Sequence, residues 1–298
     1  MKKFLAVVLT MCIFFSMCLP AYAAETSNED TCSEFQFSEY DVFTQLQAMS
    51  DDELSAAGYT ATEIVELKST TYNELLLERA ALPCERLAEL GYTDEEIGML
   101  KNYHAGIIVL NDFDLYALAG VCTGKIGCNF ASQTEFYIVY EWSWDHCPFV
   151  NGTDAMAIRW CAYGFDGNYV DVDLDYDHGL VTYYLNDRPY NYQGVYSTPS
   201  LEFNTLSYSF PMAWVGDRDA WAKEGSISIQ LRKDPSITRN IHHVKVAGLY
   251  GHSVINMSAP SISIGGGDIG ISFSGNVSVD NIAGAKAKVL YDETIENI

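Results

Sequence analysis

From Phe136 onward the apolar residues of this chain fall at every second position. Phe136, Ile138, Tyr140, Trp142 and Trp144 form one row, Met156, Ile158 and Trp160 a second, and Val170, Val172, Leu174 and Tyr176 a third. Successive side chains point to opposite faces of a strand, so a period of two gives each row one buried face. The aromatic and β-branched residues in the rows suit such a surface. Further strands are expected within residues 180–185, 202–210, 225–231, 244–250 and 262–291. Turn signals stand at Asn151-Gly152, Asp166-Gly167, His178-Gly179 and Gly265-Gly266-Gly267. About ten short strands with tight turns predict an antiparallel β-sandwich in preference to a barrel. Residues 135–292 are enough chain to bury a core of their own.

The residues before this body keep a helical period. Residues 54–68 (LSAAGYTATEIVELK) and 87–101 (LAELGYTDEEIGMLK) share L-x-x-x-G-Y-T-x-x-E-I-x-x-L-K at a separation of 33 residues. Gly58 and Gly91 suit the left-handed position that ends a helix, where a Cβ is strained. Thr60 and Thr93 can cap the next helix, and Glu63 and Glu96, three residues on, complete capping boxes. Ile64 with Leu67, and Ile97 with Leu100, then face back onto the preceding helix. Each copy reads as helix, tight corner, helix, and Pro83 as the start of a further helix. A small helical module is expected over residues 41–104, with a flexible linker at 24–40, a connection at 105–134 and a tail at 293–298.

The GYT corner resembles the Met-Gly-Phe/Tyr corner of UBA-type helical modules over the fifteen residues of each copy. That likeness is one of helix-corner physics. Paired corners ahead of a β-rich body also resemble uncharacterised exported proteins of Gram-positive bacteria. The second resemblance covers the helical front best, implies no known activity and carries no catalytic residue across.

Lys2 and Lys3, the apolar run from Phe4 to Leu19, and Ala21-Tyr22-Ala23 match the three parts of a Sec-type export signal, with cleavage after Ala23. The run is shorter than the ~20 residues of a spanning helix, and no second apolar stretch of that length follows. A secreted, extracellular chain with no stable membrane span is expected. Loss of Lys2 and Lys3 takes the formal charge from −23 to −25, a field that repels nucleic acid. Six cysteines remain, Cys32, Cys84, Cys122, Cys128, Cys147 and Cys161, and sequence alone does not choose among their pairings. A Cys122–Cys128 bridge closes the shortest loop, and Cys147–Cys161 could link neighbouring strands. No CxxC pair or HxxxH spacing supports a structural zinc site.

The stretch VDVDLDYDHG holds the first candidate site. In an uninterrupted strand, Asp171, Asp173, Asp175 and Asp177 project to one face, while Val170, Val172, Leu174 and Tyr176 face the core. The plain reading is a solvated acidic stripe that discourages edge pairing. The sharper one is Ca2+ at the end of the stripe, with Asp166, Asn168 or Asp187 helping from loops, since calcium accepts six to eight oxygens in irregular geometry. An EF-hand is not present, because no glycine stands sixth and no glutamate twelfth from Asp171.

Among the five tryptophans, Trp142, Trp144 and Trp160 fall in core rows, whereas Trp214 and Trp221 sit in PMAWVGDRDAWAKEG, which fits no strand. Both are candidate ligand-binding residues, because binding side chains concentrate in loops. His146, His178, His242, His243 and His252 belong to no nucleophile motif and read as structural or exposed. Residues 269–280 (IGISFSGNVSVD) alternate like a membrane-inserting β-hairpin, and equally like any half-buried one. The expected molecule is therefore an exported α+β protein, a helical module ahead of a β-sandwich, that binds an extracellular protein or glycan without catalysis. The alternatives are a secreted glycan-acting hydrolase and a pore-forming or bacteriocin-like protein.

Overall fold

The computed structural model describes residues 32–56, 59–149, 152–185, 188–194, 200–202, 204–213, 219–253, 261–264, 271–274 and 282–291. The export signal, Gly58, Asp187, Trp214, the Gly275-Asn276 turn and the tail lie outside them. The fold is α+β, with helices ahead of largely antiparallel sheets.

The helical repeat is longer than its motif. Helices α1 (Glu39–Ala48), α2 (Asp51–Ala56) and α3 (Ala61–Ser69) are followed 33 residues on by α4 (Tyr72–Ala81), α5 (Cys84–Glu89) and α6 (Asp94–His104). Thr60 with Glu63 and Thr93 with Glu96 form reciprocal capping boxes, and Gly91 takes a left-handed φ of 100°. Ile64, Leu67, Ile97 and Leu100 are buried. The shared lysine closes the unit in both copies. Lys68 Nζ donates to the carbonyls of Gln47 and Met49 at the end of α1, and Lys101 Nζ to those of Ala80 and Leu82 at the end of α4. A cation on the orphan carbonyls of a helix C-terminus is favourable on both hydrogen-bond and dipole grounds.

Residues 32–38, expected as linker, form strand β1 (Cys32–Ser38). The expected connection holds helix α7 (Asp112–Leu118) and strand β2 (Val121–Ser132). β1 pairs with β2 along its whole length, and Phe35 and Phe37 pack against the core. Two apolar residues in seven are too few to declare a strand from period alone, and the pairing supplies the rest.

The body adds β3 (Glu135–Trp144), β4 (Thr153–Gly164), β5 (Tyr169–Val170), β6 (Val172–Leu185), β7 (Arg188–Gly194), β8 (Ser200–Glu202), β9 (Thr205–Pro211), β10 (Trp221–Lys233) and β11 (Ile241–Gly251). The chain ends in β12 (Ser261–Ile264), β13 (Ile271–Ser274) and β14 (Ile282–Leu290). One sheet runs β1-β2-β3-β10-β6-β7, a second β14-β11-β4-β9-β8 with β5 beside β4, and β12 pairs with β13 apart from both. Among the described residues neither large sheet closes into a barrel.

The inner faces of the two large sheets share one core. Trp142 of β3 stacks on Phe210 of β9 at 5.1 Å, and its indole N–H points at Met156 Sδ of β4. Trp144 Nε1 donates to Tyr250 Oη of β11 at 2.9 Å. Gly248 of β11 has no side chain because a Cβ there would collide with the Tyr140 ring. Such interdigitation is how aromatic residues contribute most of their burial energy.

Candidate functional site

The aspartate stretch does not keep one face. On β10, Gln230 stands opposite Tyr176 while the next residue, Leu231, stands opposite Leu174, so Asp175 is the extra residue of a β-bulge. The bulge resets the alternation. Val172 and Leu174 point inward before it, whereas Gly179, Val181 and Tyr183 do so after it. Asp177 consequently lies on the inner side, where Tyr208 Oη of β9 donates to its Oδ2 at 2.6 Å. Asp173 and Asp175 stay outside, and Asp175 pairs with Arg232 at 3.2 Å. The common row of Asp171, Asp173, Asp175 and Asp177 is thus corrected by one inserted residue. Among the described residues no three His, Cys, Asp or Glu side chains gather to hold a metal ion.

Tyr176 is turned outward by the same bulge and is 54% exposed, against its expected place in the core. It joins a face whose rows can be read from register, because directly opposed residues share a face. One row across the first sheet is Gln36, Thr123, Ser143, Glu224 and Thr182; the next is Glu34, Lys125, Glu141, Ser226 and Leu180. These two rows line an open cavity of about 820 Å³. Lys125 Nζ meets Glu141 Oε2 at 3.0 Å, and Tyr184 Oη donates to Glu224 Oε1 at 3.1 Å. Gly124 and Gly225 lie under the cavity because the rings of Phe35 and Trp142 fill the space their Cβ atoms would need.

The chemistry of this face is that of recognition. Hydroxyls both donate and accept, and ionised carboxylates accept on two oxygens, which suits a ligand rich in hydroxyls or ammonium groups. Sequence reasoning passes over these residues. They are the polar complement of the apolar rows, and Glu34 falls in the presumed linker.

Trp221 is not a surface ligand residue. It begins β10, is 2% exposed, and its indole Nε1 points at the Glu89 carbonyl of α5 at 3.4 Å. Trp214, its expected companion, lies outside the described residues. Cys84, Cys122 and Cys128 are free thiols. Cys122 and Cys128 both sit in β2, six residues apart, and a strand rise of ~3.3 Å per residue puts them far beyond bonding reach. Burial pushes both thiols up from their ordinary pKa.

A second cluster of polar groups holds the helices to the sheets. His252 is fully buried between two carboxylates, with Nδ1 2.9 Å from Asp154 Oδ2 and Nε2 3.5 Å from Glu39 Oε1 of α1. Burial lowers its pKa, but Asp154 and then Glu39 outweigh that and raise it to about 10. Tyr250 Oη and the Ser253 N–H also donate to Asp154. Nearby, Arg79 of α4 donates to the carbonyls of Cys147 at 2.8 Å and Pro148 at 2.9 Å, its guanidinium over the rings of Phe149 and Tyr92. His252 and Asp154 are both fully buried, so this cluster ties α1 to β4 and to the end of β11.

No protein-family model matches the chain, and no curated protein matches it in sequence. Among solved structures, the chain is similar to one titled "AvmM Catalyzes Macrocyclization in Alchivemycin A Biosynthesis", at 8% identity and a TM-score of 0.28, covering 58% of this chain and 91% of that one. A likeness that weak carries no argument about activity.

Proposed function

We propose that the chain is an exported, non-catalytic binding protein, a helical module joined to an antiparallel β-sandwich, whose open sheet face holds a glycan. The observation that supports this reading is the cavity of about 820 Å³ across five strands, floored by the hydroxyls of Thr123, Ser143 and Ser226 and edged by Glu34, Glu141 and Glu224. Its volume lies in the range of ligand pockets. Hydroxyl and carboxylate groups at successive register positions offer a sugar chain repeated hydrogen-bond partners. Export through the segment ending at Ala23 brings the face to extracellular glycans, and calcium is not required.

Isothermal titration of the exported chain with a panel of soluble oligosaccharides tests the reading. Saturable binding is expected, and Ser143→Trp, which fills the cavity from its floor, should abolish it. Silence across the panel overturns the proposal. Release of reducing ends would replace it with the hydrolase alternative.

A further inference from the structure

The outer face does not end at the cavity. Beyond Glu141 and Ser226 the register continues through Val139, Ser228 and His178 to a row in which Tyr137 of β3 and Tyr176 of β6 both stand opposite Gln230 of β10. The two rings flank a single strand, so their Cα atoms are about 10 Å apart, and four residues of strand rise place them about 13 Å from the cavity row. Both are exposed, Tyr137 at 39% and Tyr176 at 54%. Tyr137 is anchored at its hydroxyl. Tyr137 Oη donates to Glu135 Oε1 at 2.7 Å, a carboxylate that also receives Gln230 Nε2 at 2.6 Å, and the Tyr176 ring lies parallel to that of His178 at 6.4 Å.

Charge selects the occupant. The cavity is lined by three carboxylates, Glu34, Glu141 and Glu224, against one ammonium, that of Lys125, on a chain of formal charge −23. An acidic polysaccharide is repelled there, a neutral one gains nothing from the charge, and a polycation is drawn in. Exposed tyrosine faces attract an ammonium group as well as an apolar sugar face.

We infer that the ligand is a polysaccharide of hexosamines with free amino groups, its ammoniums against Glu34, Glu141 and Glu224 and its chain extended over Tyr137 and Tyr176. This inference rests on the glycan-binding reading above and names its substrate class. The bulge at Asp175 is what makes it possible, since an unbroken strand would turn Tyr176 into the core.

The test is titration of the full chain with chitosan oligomers, chitin oligomers and neutral glucan oligomers, each short and long, with poly-lysine as a fourth probe. Long chitosan oligomers should bind tightest and weaken with added salt. The Tyr137→Ala/Tyr176→Ala pair should lose about tenfold for long chitosan oligomers and nothing for short ones, while Tyr137→Phe, which keeps the ring, retains affinity and reports an intact sheet. Equal affinity for charged and neutral oligomers overturns the charge assignment but leaves glycan binding standing. Undiminished long-oligomer binding by the double variant overturns the tyrosine extension. Poly-lysine binding above every glycan makes the face a receptor for basic polypeptide and overturns the inference, and failure of all glycans removes both readings together.

Discussion

Tyr208 donates its hydroxyl to Asp177 at 2.6 Å across the space between the two large sheets, and this bond marks where the aspartate stretch changes sides. Burial, followed by the carboxylate beside it, pushes the Tyr208 pKa up. Tyr208→Phe removes the donor and leaves a half-buried carboxylate acceptor behind, at a cost of about 1–3 kcal/mol. Asp173→Asn, on the exposed side, should change stability by less than about 0.5 kcal/mol. Urea denaturation of the two variants separates the sides; equal effects would restore a single solvated stripe.

The same geometry predicts indifference to calcium. A ligand that binds only the native state raises the melting temperature by mass action, and the bulge turns Asp177 away from Asp173 and Asp175, with no group of three metal-holding side chains among the described residues. Thermal melts in millimolar calcium and in chelator should superimpose. A calcium-dependent rise abolished by Asp173→Asn/Asp175→Asn would show that loop oxygens complete a site there.

Arg79 joins helix α4 to the loop after β3 through two carbonyls. Lysine can supply a charge there but not a planar fork that serves two acceptors at once. Arg79→Lys should therefore cost about 1.5–3 kcal/mol, the worth of one charged hydrogen bond. If the helices undock before the sheets unfold, helical circular dichroism will fall at lower urea than tryptophan fluorescence in the variant. Parent-like stability would mean the ring contacts with Phe149 and Tyr92 dominate.

The helix corners are legible in the sequence because their causes are local. Thr93 and Glu96 lie three residues apart, and Gly91 needs only its own φ to declare itself. The core rows of β3 and β4 are legible for a similar reason, five and three apolar residues in strict alternation. The bulge at Asp175 is not, because nothing in VDVDLDYDHG marks which residue is skipped; the register against β10 decides it. Trp221 reads as a loop residue when its surroundings are polar, yet α5 covers it from 132 residues away in sequence. The candidate face escapes notice because Glu141, Ser143, Glu224 and Ser226 look like any solvated strand side until β3 and β10 set them side by side.

Gly91 and Gly98 offer opposite outcomes from one substitution. Gly91 ends α5 at a positive φ, and a Cβ there would collide with the Asp145 carbonyl oxygen. Gly91→Ala should therefore destabilise by more than about 1 kcal/mol. Gly98 lies inside α6 with nothing near the added methyl, so Gly98→Ala should stabilise by up to about 1 kcal/mol. Denaturation midpoints that move the same way in both variants would contradict the corner geometry.

The buried Asp154–His252–Glu39 cluster makes stability depend on alkaline pH. The folded pKa of His252 is raised to about 10 from an ordinary value near 6.5. A raised pKa means that the folded state holds the proton more tightly than the unfolded chain does, so the contribution is complete below about 6.5 and is lost as pH rises through about 10. Unfolding free energy should fall across that window. His146 adds to the same slope, since burial lowers its pKa but Asp145 and Glu96 raise it further. His252→Gln removes the cation and leaves Asp154 and Glu39 facing each other in the interior, which costs about 3–5 kcal/mol at neutral pH. The same variant should flatten the pH slope, whereas His146→Gln should flatten it less. Denaturant midpoints measured from neutral to alkaline pH on the three proteins check this, and a slope unchanged in His252→Gln would show that the proton leaves elsewhere.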